Sequence, residues 1–213
     1  MVGILVLKDG WGIQTARLRR RGRRLKMFAW AALIARPDAQ ALTPFIWMFV
    51  GGWLGLASGL PTSPDFVLVS FILFVLLGII AMIDSLYFVV PDGPLLGLAV
   101  VAALSRPPEV IVEYLGSGLG AYVMFWLFGW SYKVLSGRAG LGGGDVRLLA
   151  ISGFWLGGEG LLSCLLTSTL SALLSAALAW RNGKLARRDD PLPFGPHIAL
   201  GFWLTWMFGP LTV

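Results

Sequence analysis

Charge is scarce in this chain. Only 13% of its 213 residues are Asp, Glu, Lys or Arg, about half the share found in soluble domains. Cysteine and histidine are scarcer, with one of each, Cys164 and His197. A single cysteine excludes an internal disulfide and a Cys-rich zinc site. A lone histidine with no cluster of other ligands makes no zinc site either, so no metal and no cofactor are expected. Cys164 lies in the middle of an apolar run, where serine- or cysteine-type nucleophilic chemistry fits poorly. His197 follows Phe194-Gly195-Pro196 and reads as a helix-boundary residue with a local hydrogen-bond partner. No heptads, fixed-length repeats or low-complexity tracts occur. After residue 40 no long polar stretch remains, which leaves little room for a separate soluble domain.

What the chain does have is apolar mass. Hydrophobic residues make up 57% of it, with ten Trp and a mean hydropathy of +0.78. These are the marks of a polytopic membrane protein. Lipid is as apolar as a side chain, so helices there associate through close packing of small residues, which the 28 Gly suit. A spanning helix takes about 20 residues, and turn signals divide the chain accordingly. The expected fold is all-α with seven spans: 41–60, 66–83, 95–104, 110–132, 146–156, 161–180 and 198–207. Residues 1–40 form a basic arm, and 41–213 one membrane-embedded domain.

Nine of the seventeen Lys and Arg lie in the arm, seven of them between Arg17 and Lys26. Such a run is held by anionic lipid. Nucleic acid is not expected, because no aromatic-interleaved platform accompanies the charge. A cleaved signal ending near Ala39-Gln40-Ala41, or a true start at Met27, are the lesser alternatives. With the arm in the cytoplasm, the loops after spans two, four and six face the same side. Sixteen of seventeen basic residues are then cytoplasmic, Arg106 being the exception. This asymmetry sets the N-terminus inside.

The crossing count also pairs two carboxylates. Asp84 ends the second span and Asp145 begins the fifth, after Gly142-Gly143-Gly144. An even number of spans separates them, so both emerge on one face, at membrane boundaries where carboxylates are functional by default. Two close carboxylates in a partly dry site share a proton. One then takes a proton from an attacking water while the other protonates a carbonyl oxygen. Asp92, behind Pro91, reads as a turn residue.

These residues resemble a known family. Gly142-Gly143-Gly144-Asp145 resembles the Gly-x-Gly-Asp motif of membrane aspartyl proteases. With Val146-Arg147-Leu148-Leu149 it looks like the second aspartate motif of bacterial type IV prepilin peptidases. Asp84 with Val90-Pro91-Asp92 is similar to their first motif, and Pro193-Phe194-Gly195-Pro196 to their C-terminal signature. The resemblance implies cleavage of the basic leader of type IV prepilins, or of type II secretion pseudopilins, at the cytoplasmic face of the inner membrane. It implies Asp84 and Asp145 as the catalytic pair. Gly142, Gly143 and Gly144 form the active-site loop, while Pro91, Asp92, Arg147, Pro193, Gly195 and Pro196 are supporting positions. Pro91 is expected to unwind the helix end and expose Asp84 to water. Bifunctional members carry paired Cys-x-x-Cys motifs associated with N-methylation; with Cys164 alone, methylation by these residues is doubtful. Two alternatives stand. One is another Gly-x-Gly-Asp protease acting on an archaellin-like precursor or a signal peptide. The other is a non-enzymatic transporter or assembly scaffold.

Overall fold

The computed structural model describes residues 63–137, 140–181 and 192–211, together with 46, 48, 50–52, 54, 55 and 59. The basic arm and its boundary at residue 40 lie outside the described residues. No strand occurs among them. Five helices follow the partly described segment near residue 50: α1 (Pro64–Tyr87), α2 (Asp92–Leu104), α3 (Pro108–Ser136), α4 (Gly143–Arg181) and α5 (Gly195–Phe208). Their starts follow local chemistry. α1 and α3 open on proline, which suits the first helical position because its missing N–H has no partner there anyway. Ser63 Oγ also accepts the Phe66 N–H at 3.3 Å, capping α1.

Three helices, α1, α3 and α4, are long and apolar enough to cross a membrane. α2 and α5, at 13 and 14 residues, fall short of the roughly 20 that a full crossing takes. The expected fifth and sixth spans are two arms of α4, broken at Gly157, where φ is 72° and ψ −178°. Only glycine takes that backbone cheaply. The break frees carbonyls at the end of the first arm. Arg106 donates its Nη2 to one of them, the Trp155 oxygen, and its guanidinium lies 3.5 Å over the Tyr114 ring. The exceptional basic residue thus fastens the α2–α3 connection to the break.

Side-chain contacts give the helix directions. α5 runs against α1: Phe66 stacks on Trp206 and Phe74 meets Trp203 edge-on, at ring distances of 5.6 and 5.2 Å. At the opposite end of this pair Gly195 meets Asp84. α5 also runs against the second arm of α4, with His197 beside Ser171 and Leu211 beside Ser163. α3 packs on the first arm through Gly118 and Gly153. A Cβ at Gly118 would stand 3.0 Å from Phe154 Cβ, and one at Gly153 3.0 Å from the Ser117 carbonyl. Trp155, almost wholly buried, sits at the centre. Its indole donates to Leu98 O at 2.8 Å and packs edge-on to Phe202 and Trp206. Close packing of this kind substitutes for the hydrophobic drive that lipid cannot supply.

Candidate active site

Asp84 occupies the last turn of α1. It is 4% exposed, and α1 continues through Tyr87. Pro91 therefore does not unwind the end of α1, contrary to the sequence expectation. The helix stops instead at Phe88, whose backbone turns left-handed (φ 54°, ψ 39°) while its N–H still bonds the Asp84 carbonyl at 2.8 Å. Pro91 is the N-cap of α2. A buried carboxylate needs a donor, and Asp84 Oδ2 has one in the Gly195 N–H at 2.9 Å. That N–H belongs to the first turn of α5, where amides lack helical partners and the helix dipole favours negative charge. A Cβ at Gly195 would stand 2.7 Å from Asp84 Oδ2, so a side chain there would push the carboxylate away.

Asp145 lies in the first turn of α4, as the glycine-rich approach predicts. The three glycines are not equivalent. A Cβ at Gly144 would stand 2.8 Å from Val90 Cβ, and one at Gly142 would stand 2.9 Å from Asp145 Oδ2. Gly143 has open space around it. Gly144 thus brings the start of α4 against the chain just after α1, and Gly142 leaves room for the Asp145 carboxylate, which lies against it.

Both carboxylates line one cavity of about 750 Å³. Its walls are mostly apolar: Phe88 after α1, Phe125 and Phe128 of α3, Leu149 and Leu165 of α4, and Pro193 and Phe194 before α5. Thr169 is the remaining polar side chain of the lining, and its hydroxyl is bonded to Leu165 O at 2.8 Å. Phe125 and Phe128 lie about one helical turn apart on α3, a spacing that could have marked them as one face.

The supporting positions divide. Pro193 lines the cavity, Gly195 touches Asp84, and Pro196 is buried behind it. Asp92 and Arg147 do not line the cavity. They pair with each other across the starts of α2 and α4, and Arg147 Nε also donates to Gly143 O at 3.2 Å. The pair is exposed, so it braces the loop with about 0–1 kcal/mol. His197 is buried, and its partner is not local. Its Nδ1 lies 2.8 Å from Ser171 Oγ on α4, 26 residues away in sequence. Cys164 is buried against Ser168 and takes no part in the cavity.

Two carboxylates on one apolar-walled cavity, Asp84 with the Gly195 N–H as its donor, are an arrangement of the kind suited to acid–base work on water. Comparison with known proteins gives a consistent affiliation. A prepilin leader peptidase/N-methyltransferase of Xanthomonas campestris pv. campestris is 31% identical over 170 residues, covering 77% of this chain and 54% of that protein. A protein of the same name from Pectobacterium carotovorum subsp. carotovorum is 34% identical over 150 residues, covering 68% and 53%. Another, from Pseudomonas aeruginosa, is 34% identical over 139 residues, covering 62% and 47%. The chain spans about half the length of these relatives. No solved structure matches it. Residues 71–179, which include Asp84 and Asp145, match the Type IV leader peptidase family, and the chain belongs to that family.

Proposed function

We propose that this chain is a membrane aspartyl endopeptidase that removes the leader peptide of type IV prepilins or type II secretion pseudopilins. The observation that carries the reading is the single cavity shared by Asp84 and Asp145. In this mechanism one carboxylate takes a proton from water as its oxygen attacks the scissile carbonyl. The other gives its proton to the carbonyl oxygen. Collapse of the tetrahedral intermediate breaks the C–N bond, and the amine leaves with a proton from the pair. The apolar walls exclude bulk water and strengthen these charge interactions. The substrate class follows from the name shared by the relatives, prepilin leader peptidase/N-methyltransferase.

The same reading puts the cavity at the cytoplasmic face of the inner membrane. Its support is the count of basic residues, sixteen of seventeen on one side in a seven-span arrangement with the N-terminus inside. The 1–40 arm then rests on anionic lipid, ahead of the peptidase domain at 41–213. The deciding experiment is co-expression with a prepilin in a host lacking other prepilin peptidases, followed by N-terminal sequencing of the product. Cleavage at the leader junction supports the reading. An intact leader with the enzyme present in the membrane overturns it.

A further inference from the structure

The first turn of α5 does two things. It presents the Gly195 N–H to Asp84 Oδ2 at 2.9 Å, and it carries His197, which is 5% exposed. The His197 and Ile198 amides both turn back to Phe194 O at 3.0 Å, so residues 194–198 move as one tight unit. No side chain caps the helix at Phe194. The orientation of the unit must therefore come from contacts further along it. His197 Nδ1 and Ser171 Oγ, 2.8 Å apart, supply a directional one, to the second arm of α4. Four residues beyond His197, Gly201 lies directly on Ser168 Oγ and the Cys164 carbonyl. That contact sets how near the two helices come but does not set the rotation of α5 about its axis. The hydrogen bond can set it.

We propose that His197 and Ser171 are positioning residues for the Asp84 carboxylate. Their hydrogen bond fixes the rotation of the first turn of α5, and so fixes the Gly195 N–H against Asp84 Oδ2. The inference rests on the reading of Asp84 as a catalytic carboxylate. Neither residue lines the cavity, so both act through Gly195. Rotation of the turn would lengthen the Gly195 bond and let the carboxylate leave its working geometry. Most substrate contacts would be kept, because of the cavity's lining only Phe194 belongs to the unit, while Pro193 precedes it and most of the other walls come from α1, α3 and α4.

Three variants test this: Ser171→Ala, His197→Ala and His197→Asn. The Asn amide can occupy the place of Nδ1. In a peptidase assay the two Ala variants should lose about tenfold in kcat with KM within about twofold of wild type, and Asn should recover most of the loss. The Ser171→Ala/His197→Ala double variant should be no worse than either single one. A second readout does not need catalysis. Between Phe194 and His197 the exchangeable amides are few, because residue 196 is proline. Hydrogen–deuterium exchange there should be several-fold faster in both Ala variants and near wild type in the Asn variant. A wild-type protein that fails to cleave counts against the proposed activity, and Gly195 exchange still decides the positioning. Unchanged exchange in the Ala variants overturns the inference. So does unchanged kcat in an active enzyme, or a loss that falls on KM alone.

Discussion

Val90 and Gly144 touch so closely that a methyl group on the glycine would lie 2.8 Å from Val90 Cβ. This contact joins the chain just past α1, whose last turn carries Asp84, to the first turn of α4, which carries Asp145. Gly144→Ala is therefore expected to separate Asp145 from Asp84. Overpacking of this sort costs about 1–3 kcal/mol. Gly143→Ala meets open space and should be nearly neutral. Val90→Gly, which removes the Cβ that the new methyl would meet, should restore part of what Gly144→Ala removes, and thermal unfolding alongside cleavage rates would reveal it. Equal losses for the two glycine variants would contradict the structure.

Asp84→Asn and Asp145→Asn are each expected to reduce leader removal by at least about 10²-fold, the low end for a positioned acid or base. The protein should still insert. Combining them should add little, since groups acting as a unit are strongly non-additive. Normal processing by either variant at wild-type membrane levels would end the assignment.

The rate should depend on pH as a bell. Work by the pair needs one proton shared between two carboxylates. Activity should fall at low pH, where both are protonated, and at high pH, where both are ionised. The two apparent pKa values belong to the pair and not to either residue. A profile of kcat/KM with a single limb across the stable range would argue for one working carboxylate.

Reporter fusions test the orientation. Fusions at Gly137 and Lys184 should read cytoplasmic, and those at Ser63 and Gly158 external. Gly137 directly follows α3 at the cavity end, and Gly158 follows the break in α4. Opposite signals from Gly137 and from a fusion near Asp92 would contradict both the crossing count and the shared cavity.

Much of this arrangement was legible in the chain. The boundary between the expected spans 146–156 and 161–180 falls at Gly157, where α4 breaks, and Asp84 and Asp145, singled out by their motifs, line one cavity. The sequence reading treated the three glycines alike, and only the structure separates Gly143, with room around it, from Gly142 and Gly144. The burial of Asp84 was not legible, because Pro91 suggested an earlier end to α1. The left-handed turn actually falls on Phe88, a residue with no local signal for it. Nor could spacing reveal Gly195 against Asp84, 111 residues apart, or Ser171 against His197. Both pairs arise from the antiparallel docking of α5, which side-chain packing decides. The segments 95–104 and 198–207 were read as spans from their apolarity although already short, and the helices that contain them, at 13 and 14 residues, still fall short of a full crossing.

The open space around Gly143 has a practical side. The native thiol, Cys164, is buried and will react slowly with polar reagents. A cysteine at Gly143 would then be the accessible thiol among the described residues, two positions from Asp145 and clear of its neighbours. A spin label or fluorophore attached there would report solvent access and loop motion beside Asp145 without displacing any neighbouring side chain.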